Sequence, residues 1–499
     1  MACFVGDRRN SGAGKALLPF RLFSAPTAPF RAFIVALAAT WVTVLAGCGG
    51  IPGLILPNES TAPVDTRRFQ LLARFVQISD AQIVDEQSPG RLASLAALFP
   101  SAWRPQEAYS LQLLDGTIRA VNKMHVAQSP IDFLIHTGDA TDNAQLNELQ
   151  WFVAVLDGGR IDPRSGPDDR DPASHPPPLM DPHHPFAAQG LYRTGVHGEA
   201  PTIFWYSLVG NHDHFASGVF PIVANLFGRR TSPLLLPNRI GLFLPVALDP
   251  TGTTAWGLIS PAHPGPPVEL SFPVLVAGRA ERRFITNEEF IDLHLSSTSH
   301  PPGHGFDAEA PQRTWYSVRP IPGLRLIGLN SSSPWHEEPA GIYSEGAISA
   351  PQVRFLRQEL NLATDRGECV IVATHHPSGS LDPFYGTSLT QFSMHRLLSG
   401  YPCVKLHVAG HLHRNVVIDR GSYHEIVTGS IVDAPQQGRI IEIWRDATGE
   451  SELRYWMFSH LDDVAPPDSE RLSLFDDPLL PMRRVAAELA GVALPDSER

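Results

Sequence analysis

The chain has 499 residues, a length that allows two or three domains, and its 46 prolines and 40 glycines indicate a large share of loop. Its formal net charge is -12 at pH 7. Because an acidic surface is repelled by phosphate backbones, this balance argues against a protein that binds a nucleic-acid duplex.

The first 47 residues have the pattern of a signal peptide. Basic residues precede an uncharged apolar stretch over 32–46, which is too short to span a membrane comfortably as a permanent helix. The stretch ends in Leu45-Ala46-Gly47-Cys48, which resembles the bacterial lipobox, whose cysteine is lipid-modified. We therefore predict a lipoprotein signal peptide over 1–47 and a lipid anchor on Cys48. The alternative is a buried or membrane-anchoring helix that ends near a chance cysteine.

The lipobox pattern also predicts where the protein resides. An exported bacterial lipoprotein lies at the periplasmic face of the inner or outer membrane, or at the cell surface. Residues 48–67, with Gly-Gly-Ile-Pro-Gly and Pro-Asn-Glu-Ser-Thr, predict a flexible tether between the anchor and the folded part.

One large domain over 68–460 is expected to follow the tether, with two insertions. Residues 157–201 are dense in Pro, Asp, Gly and His and show no apolar period, which is typical of an irregular surface insertion. A second, longer insertion is predicted over 216–313. Residues 461–499 form an acidic, proline-rich C-terminal tail with one helical stretch, and we expect either a packed arm or a mobile end.

Strand and helix patterns alternate along the predicted domain. Apolar runs predict strands at residues 71–79, 131–136, 204–209, 315–318, 324–329, 370–373, 404–408, 424–427 and 440–444. Apolar residues at helical spacing predict helices at residues 105–124, 146–156, 350–362 and 483–494. This alternation indicates an α/β protein.

Two cysteines, Cys369 and Cys403, begin apolar runs in the second half of the domain. An oxidising compartment would permit a disulfide between them if the two runs were neighbouring strands. Bridges between adjacent parallel strands fit the geometry of a disulfide poorly, so we favour two unbridged, buried side chains.

Five short polar clusters stand at the ends of apolar runs, spread over more than three hundred residues. They are Asp80-Ala81-Gln82, Gly138-Asp139-Ala140-Thr141-Asp142, Gly210-Asn211-His212-Asp213, Thr374-His375-His376-Pro377 and Gly410-His411-Leu412-His413. A ligand in the turn after a strand is the usual way in which an α/β protein presents chemistry at the edge of its sheet.

The clusters combine two kinds of metal ligand. Carboxylates and carboxamides offer oxygen and the histidines offer nitrogen, a mixed set that suits Mn, Fe or Zn better than an all-oxygen calcium cage. Asp139 is the natural bridge, because each oxygen of a carboxylate can face one cation. A pair of such ions polarises a phosphoryl oxygen and acidifies a water, which is the chemistry of phosphoester hydrolysis.

In this order the clusters resemble those of the calcineurin-like metallophosphoesterase superfamily, over about residues 70–445. The resemblance implies a four-layer αββα sandwich of two mixed β-sheets with flanking helices and a dimetal site at the strand ends. It implies that the first metal is held by Asp80, Gln82, Asp139 and His413. It implies that the second metal is held by Asp139, Asn211, His375 and His411.

The resemblance also implies catalytic roles. His212 would protonate the leaving oxygen or steady the charge of the transition state, and Asp142 would orient its imidazole. The nucleophile would be a hydroxide that bridges the two metal ions. His376 would be a neighbour of the ligand His375.

Gln82 departs from the family pattern, which has histidine at this position. A carboxamide oxygen is a neutral and weaker donor, so we expect the first metal to be held less tightly and its preference to tilt toward harder ions such as Mn. Glutamine also occurs here in manganese-dependent branches of the superfamily, so the departure does not by itself abolish activity.

The sequence therefore predicts a metal-dependent hydrolase of phosphomonoesters or phosphodiesters, acting on a small-molecule or lipid-derived substrate. The alternative is a catalytically inactive, lipid-anchored protein that uses the same fold for binding or assembly. The predicted insertions are expected to shape the pocket that selects the substrate.

Overall fold

Two mixed β-sheets lie at the centre of the fold in the computed structural model. The structure describes residues 53–88, 104–166, 181–224, 230–237, 243–248, 250–251, 254–255, 274–275, 278–332, 344–382, 386–461 and 477–492. The predicted signal peptide and Cys48 lie outside these residues. Within the described ranges, no helix combines the length and the apolar composition needed to cross a membrane.

The first sheet has five strands, in the order β19-β18-β2-β3-β6. Its strands are β2 (Gln70–Ile78), β3 (Phe133–His136), β6 (Phe204–Ser207), β18 (Gln437–Arg445) and β19 (Ser451–Ser459). β2, β3 and β6 run parallel, so their carboxyl ends meet at one edge of the sheet. β18 pairs antiparallel with β2, and β19 pairs antiparallel with β18.

The second sheet has seven strands, in the order β1-β16-β17-β15-β14-β13-β12. Its strands are β1 (Leu54–Leu56), β12 (Tyr316–Ile321), β13 (Leu324–Gly328), β14 (Cys369–Ala373), β15 (Val404–Ala409), β16 (Val416–Asp419) and β17 (His424–Val427). Four neighbouring strands, β17, β15, β14 and β13, are parallel.

Helices cover the outer faces of both sheets. They are α1 (Ser110–Ala127), α2 (Leu146–Asp157), α3 (Asn287–Ser296), α4 (Ala350–Asp365), α5 (Gln391–Ser399) and α6 (Leu480–Leu489). On the five-stranded sheet, Phe152 of α2 contacts His136 of β3 and Trp205 of β6. On the seven-stranded sheet, Leu356 of α4 packs in one apolar cluster with Val370 of β14. The predicted αββα sandwich is confirmed.

The side chains of β14 point alternately to the two faces of the seven-stranded sheet, and both faces are buried. Val370 and Val372 pack under α4 and α5, whereas Ile371 between them packs in the core shared by the two sheets. Side chains point to opposite faces at every second residue, so a continuous apolar run fills both layers. Cys369 and Cys403 are unbridged in the structure, as we favoured, but only Cys369 is buried, since Cys403 is partly exposed.

A buried glutamine joins the two sheets near the edge where the clusters lie. Gln77 of β2 donates through Nε2 to the carbonyl oxygen of Ala409 in β15 at 2.8 Å, and its Oε1 accepts from Thr428 Oγ1 at 2.8 Å. A buried amide with both ends satisfied fixes how the sheets register against each other.

The predicted insertions contain regular structure of their own. In the first, β4 (Gly159–Ile161) pairs with β5 (Phe186–Ala188). The second contains α3 and the strands β7 (Val223–Ala224), β8 (Arg230–Pro237), β9 (Phe243–Leu248), β10 (Thr254–Ala255) and β11 (Val274–Leu275). These strands pair only with one another in the described residues, so the insertions extend neither central sheet.

Part of the predicted tether is held against the domain. Residues 54–56 form β1, which pairs antiparallel with β16 at the edge of the seven-stranded sheet. Four residues later the backbone N–H of Ser60 donates to the carbonyl oxygen of Tyr455 in β19, with a nitrogen-to-oxygen distance of 2.8 Å. The segment therefore contacts both sheets before β2 begins.

Candidate metal centre

The five polar clusters converge where the carboxyl ends of the two sheets meet. Asp80, Asp139 and Asn211 follow the parallel strands β2, β3 and β6, and His375 and His411 follow β14 and β15. Hydrogen bonds cross directly between the sheets at this point. The backbone N–H of His411 donates to Asp80 Oδ2 at 3.0 Å. The ring of His375 donates through Nδ1 to the carbonyl oxygen of Thr137, two residues before Asp139, at 2.9 Å.

Asn211, His375 and Asp139 form a ready set of donors for the second metal position. His375 Nε2 lies 2.9 Å from Asn211 Oδ1 and 3.3 Å from Asp139 Oδ2. Because the carbonyl oxygen of Thr137 accepts from Nδ1 of His375, the ring keeps Nε2 for a metal, an arrangement found around most metal-bound histidines.

The side chain of Asn211 is oriented so that its oxygen faces this position. Its Nδ2 donates to the carbonyl oxygen of Gly218 at 2.9 Å, which turns Oδ1 toward His375. A carboxamide binds a metal only through oxygen, since its nitrogen has no free lone pair. Asn211 therefore fits the role of ligand.

His411 lies beside the same position, together with His376. Ligand atoms of His375, His376 and His411 all lie within 4.8 Å of one another. Both ring nitrogens of His376 are already used, Nδ1 with Ser331 Oγ at 2.8 Å and Nε2 with the carbonyl oxygen of Ser344 at 3.2 Å. His376 is therefore placed to support the site, while His375 and His411 offer the nitrogens.

Asp80 and His413 lie at the first metal position. His413 Nε2 is 3.3 Å from Asp80 Oδ1, an oxygen that is buried and accepts no hydrogen bond from the described residues. The other ring nitrogen, Nδ1, bonds to the carboxylate of Asp433. A carboxylate behind a histidine holds the ring so that the opposite nitrogen faces a metal.

Gln82 lies at this position with the opposite orientation from Asn211. Its Oε1 accepts a hydrogen bond from Arg104, and its Nε2 is the atom that faces Asp139, 3.5 Å from Oδ2. In this arrangement the group turned toward the shared carboxylate is an amide nitrogen, which cannot bind a metal. The residues thus fit a metal well at the second position and incompletely at the first.

His212, in the loop after β6, is held by two contacts with the loop after β3. Its backbone N–H donates to Asp139 Oδ1 at 2.8 Å, and its Nδ1 lies 2.7 Å from the backbone carbonyl oxygen of Asp142. The carboxylate of Asp142 is farther away, with Oδ1 at 3.6 Å from Nδ1, and accepts instead from Arg104 at 2.9 Å. The main chain of Asp142 thus orients the imidazole.

Left-handed backbone conformations are concentrated among the expected ligands. The φ angles are +51° at Asp80, +38° at Gln82, +59° at Asp139, +70° at His411 and +50° at His413. Each such residue other than glycine costs about 1–2 kcal/mol, so the fold must hold them in place. Strain of this kind is typical of functional sites.

Asp213 braces two of the ligand loops. Its carboxylate accepts from the backbone N–H groups of Asp139, Ala140, Thr141 and Gly210, at 2.9–3.3 Å. Burial and the neighbouring charge of Asp139 raise the pKa of Asp213 to about 6. A side chain that ties the loop after β3 to the loop after β6 fixes the distance between Asp139 and Asn211.

The electrostatics of the centre favour cations. Burial lowers the pKa of His375, but Asp139 and Asp80 together raise it to about 9. Burial likewise lowers the pKa of His413, whereas Asp80 and Asp433 raise it to about 10. Carboxylates that hold protons on buried histidines attract positive charge, which a metal would supply in exchange for those protons.

Arg104 and Asp433 are parts of this centre that the sequence did not reveal. Neither belongs to a polar cluster at the end of a predicted strand, and the contacts that bring Arg104 to Asp142 and Asp433, and Asp433 to His413, arise only in the tertiary structure. Asp213 had a visible signal, because it ends the cluster Gly210-Asn211-His212-Asp213, but its bracing contacts could not be read from spacing.

No protein-family model and no curated protein sequence matches the chain. Its fold is similar to solved structures. A dimetal phosphatase from Danio rerio is 12% identical with a TM-score of 0.40, and the match covers 78% of this chain and 100% of that one. A putative 5'-nucleotidase from Staphylococcus aureus is 12% identical with a TM-score of 0.31, covering 83% and 58%. Purple acid phosphatase from yellow lupin (Lupinus luteus) seeds is 12% identical with a TM-score of 0.30, covering 78% and 53%.

Proposed function

We propose that this protein is a metal-dependent hydrolase of phosphomonoesters or phosphodiesters that works with two metal ions. One observation carries the proposal: His375 Nε2 lies 2.9 Å from Asn211 Oδ1 and 3.3 Å from Asp139 Oδ2. Metal ions at such a site stabilise charge that develops on a phosphoryl group and acidify water.

His212 is the proposed proton donor to the leaving oxygen. Its Nδ1 is engaged by the main chain of Asp142, so the ring is fixed and Nε2 is the nitrogen that can face a substrate. The residue is 8% exposed, so it is not completely enclosed. Donation of a proton to a leaving group is typically worth a factor of about 10²–10⁴ in rate.

The test compares wild type with His212→Ala on p-nitrophenyl phosphate and on bis-p-nitrophenyl phosphate, with bound metal measured in both proteins. We expect hydrolysis of at least one ester by wild type, abolished by a chelator and restored by Mn, Fe or Zn. His212→Ala should lower kcat by about 10²-fold or more with its metal content unchanged. His395→Ala, in α5 and away from the centre, is the matched control.

Two outcomes would contradict the proposal. A protein that binds metal but hydrolyses neither ester would support the inactive binding protein instead. Equal kcat for wild type and His212→Ala would remove His212 from the role of proton donor.

A further inference from the structure

A buried arginine lies at the first metal position. Arg104 is 7% exposed and precedes the 3-10 turn Glu107–Tyr109. Its guanidinium donates to Gln82 Oε1, to Asp142 Oδ1 at 2.9 Å, to Asp433 Oδ2 at 3.2 Å and to Glu107 Oε2 at 3.1 Å. These contacts use the rigid fork of donors that distinguishes arginine from lysine.

The contact with Gln82 decides which end of its carboxamide faces the centre. An arginine can only donate, so the atom beside it must be the oxygen of Gln82. The nitrogen is then left on the side of Asp139, where the structure places it at 3.5 Å. Asn211 gives the contrast, because a backbone carbonyl takes its nitrogen and frees its oxygen.

Arg104 also competes for the carboxylate that supports His413. Asp433 Oδ2 accepts from Arg104 and from Nδ1 of His413. Arginine keeps its charge at any ordinary pH, so it places a permanent positive charge among residues that would otherwise receive a metal ion. A side chain behind the ligands changes metal affinity by a factor of about 10–100 when it is replaced.

We propose that Arg104 makes the two metal positions unequal. The position at Asn211, His375 and His411 takes a divalent cation first, and the position beside Gln82 takes a second cation only weakly, because Arg104 turns the Gln82 oxygen away. Arg104 is thus a positioning residue that acts through Gln82. This inference rests on the metal centre of the proposed function, and its test does not use activity.

The experiment titrates the chelator-treated protein with Mn²⁺ and follows free and bound Mn²⁺ by electron paramagnetic resonance. Wild type should bind one Mn²⁺ first, and the signal of a spin-coupled pair should develop only at free Mn²⁺ concentrations at least about tenfold higher. In Arg104→Met, the coupled signal should develop at a free Mn²⁺ concentration about tenfold lower than in wild type.

Two further variants make the result specific. Arg119→Met removes another buried arginine, paired with Asp115 at 2.7 Å within α1, and should leave both binding steps at wild-type concentrations. Gln82→Ala should weaken the second binding step, in which the position beside Gln82 is filled, by no more than about threefold. A side chain that presents its nitrogen to the metal contributes little to binding. Circular dichroism and thermal unfolding confirm that each variant is folded.

The proposal is overturned if both positions of wild type fill at the same Mn²⁺ concentration. It is also overturned if folded Arg104→Met shows the wild-type second step, or if Gln82→Ala weakens that step tenfold or more. If Arg104→Met fails to fold, the Mn²⁺ titrations of wild type and Gln82→Ala still test the proposal. A protein that binds two unequal Mn²⁺ ions and hydrolyses no phosphoester would contradict the proposed function and leave this inference standing.

Discussion

Asn211 and Gln82 carry the same chemical group, yet their neighbours give them opposite orientations. The backbone carbonyl of Gly218 takes the nitrogen of Asn211, whereas the guanidinium of Arg104 takes the oxygen of Gln82. Since only the oxygen of a carboxamide binds a metal, residue identity alone does not make a ligand. At the scale of single residues, a hydrogen-bond partner behind the side chain settles its function.

Gly218 provides a test of how tightly His212 is positioned. It has a φ of +70°, and a Cβ added there would lie 2.2 Å from Cδ2 and Nε2 of His212. Gly218→Ala should therefore displace the imidazole and lower kcat for p-nitrophenyl esters toward the value for His212→Ala. Steady-state kinetics on the two variants checks this expectation.

The cost of a left-handed alanine must be separated from the displacement of His212. Gly367 has a φ of +64°, and a Cβ added there meets nothing within 4 Å. Gly367→Ala should lose about 1–2 kcal/mol of stability and keep wild-type kcat. If Gly218→Ala loses only the same stability and keeps its activity, contact with that glycine does not position His212.

At the scale of elements, a buried ionic cluster holds the loop that carries His375. Glu425 of β17 accepts from the backbone N–H and from Oγ of Ser378, both at 2.8 Å, and from Arg420 Nη2 at 2.8 Å. On the neighbouring strand β15, His407 lies 2.8 Å from Thr374 Oγ1, directly before His375. Strand pairing is thereby coupled to the position of His375, a proposed metal ligand.

The cluster predicts a loss of stability in acid. Burial raises the pKa of Glu425, but His407 and Arg420 lower it by more than burial raises it. The pKa of Glu425 in the folded protein therefore lies below its ordinary value. A carboxyl group of this kind stabilises the fold above its unfolded pKa of about 4.3 and loses that contribution as the pH falls. The free energy of unfolding should fall by up to about 1.4 kcal/mol per pH unit from this group below pH 4.

Denaturant unfolding between pH 3 and pH 7, with a chelator present, measures this effect. Glu425→Gln should be less stable than wild type at pH 7, because Arg420 loses a buried partner, and should show a shallower decline below pH 4. Glu281→Gln, at an exposed glutamate, should follow the wild-type curve. If the free energy of unfolding falls equally with pH in wild type and in Glu425→Gln, then His407 and Arg420 do not stabilise the ionised form of Glu425.

At the scale of the whole molecule, the C-terminal tail contributes a helix to the fold. We expected a helix over 483–494, and α6 spans Leu480–Leu489 with Met482 and Ala486 buried. Arg483 lies over Gly116 of α1, where a Cβ would be 2.2 Å from its Cδ, and donates to the carboxylate of Asp477. The described part of the tail is thus a packed arm.

Removal of this arm should destabilise the entire domain. Deletion of residues 477–499 exposes apolar surface on α1 and should cost about 3 kcal/mol, lowering the thermal midpoint by several degrees. Because α6 also contacts the 3-10 turn Glu107–Tyr109, the segment of Arg104 should loosen as well. Differential scanning calorimetry compares this deletion with one of 493–499 alone, and equal midpoints would contradict a stabilising role for α6.

Prediction from the sequence was most successful where the signal is local. The spacing of apolar residues and the turn residues predicted the ends of β3 and α2 to within two residues. A strand buried on both faces leaves a continuous apolar run, and a helix buried along one stripe leaves a repeat of apolar residues. β16, β19 and α5 were missed. β19 lies at an edge of its sheet with only Tyr455 and Phe458 buried, so its pattern is weak.

The lipid anchor on Cys48 and the export of the protein stay predictions. By itself the sequence determined the alternation of strands and helices and the chemical identity of the donors, since each donor follows a strand whose apolar pattern can be read locally. The αββα layering was implied by the resemblance to the metallophosphoesterase superfamily, and the structure confirms it. Only the tertiary structure decided which donors face the centre. Asp433 reaches Arg104 across 329 residues of chain and His413 across 20. Such contacts have no sequence period, because the packing of two sheets creates them.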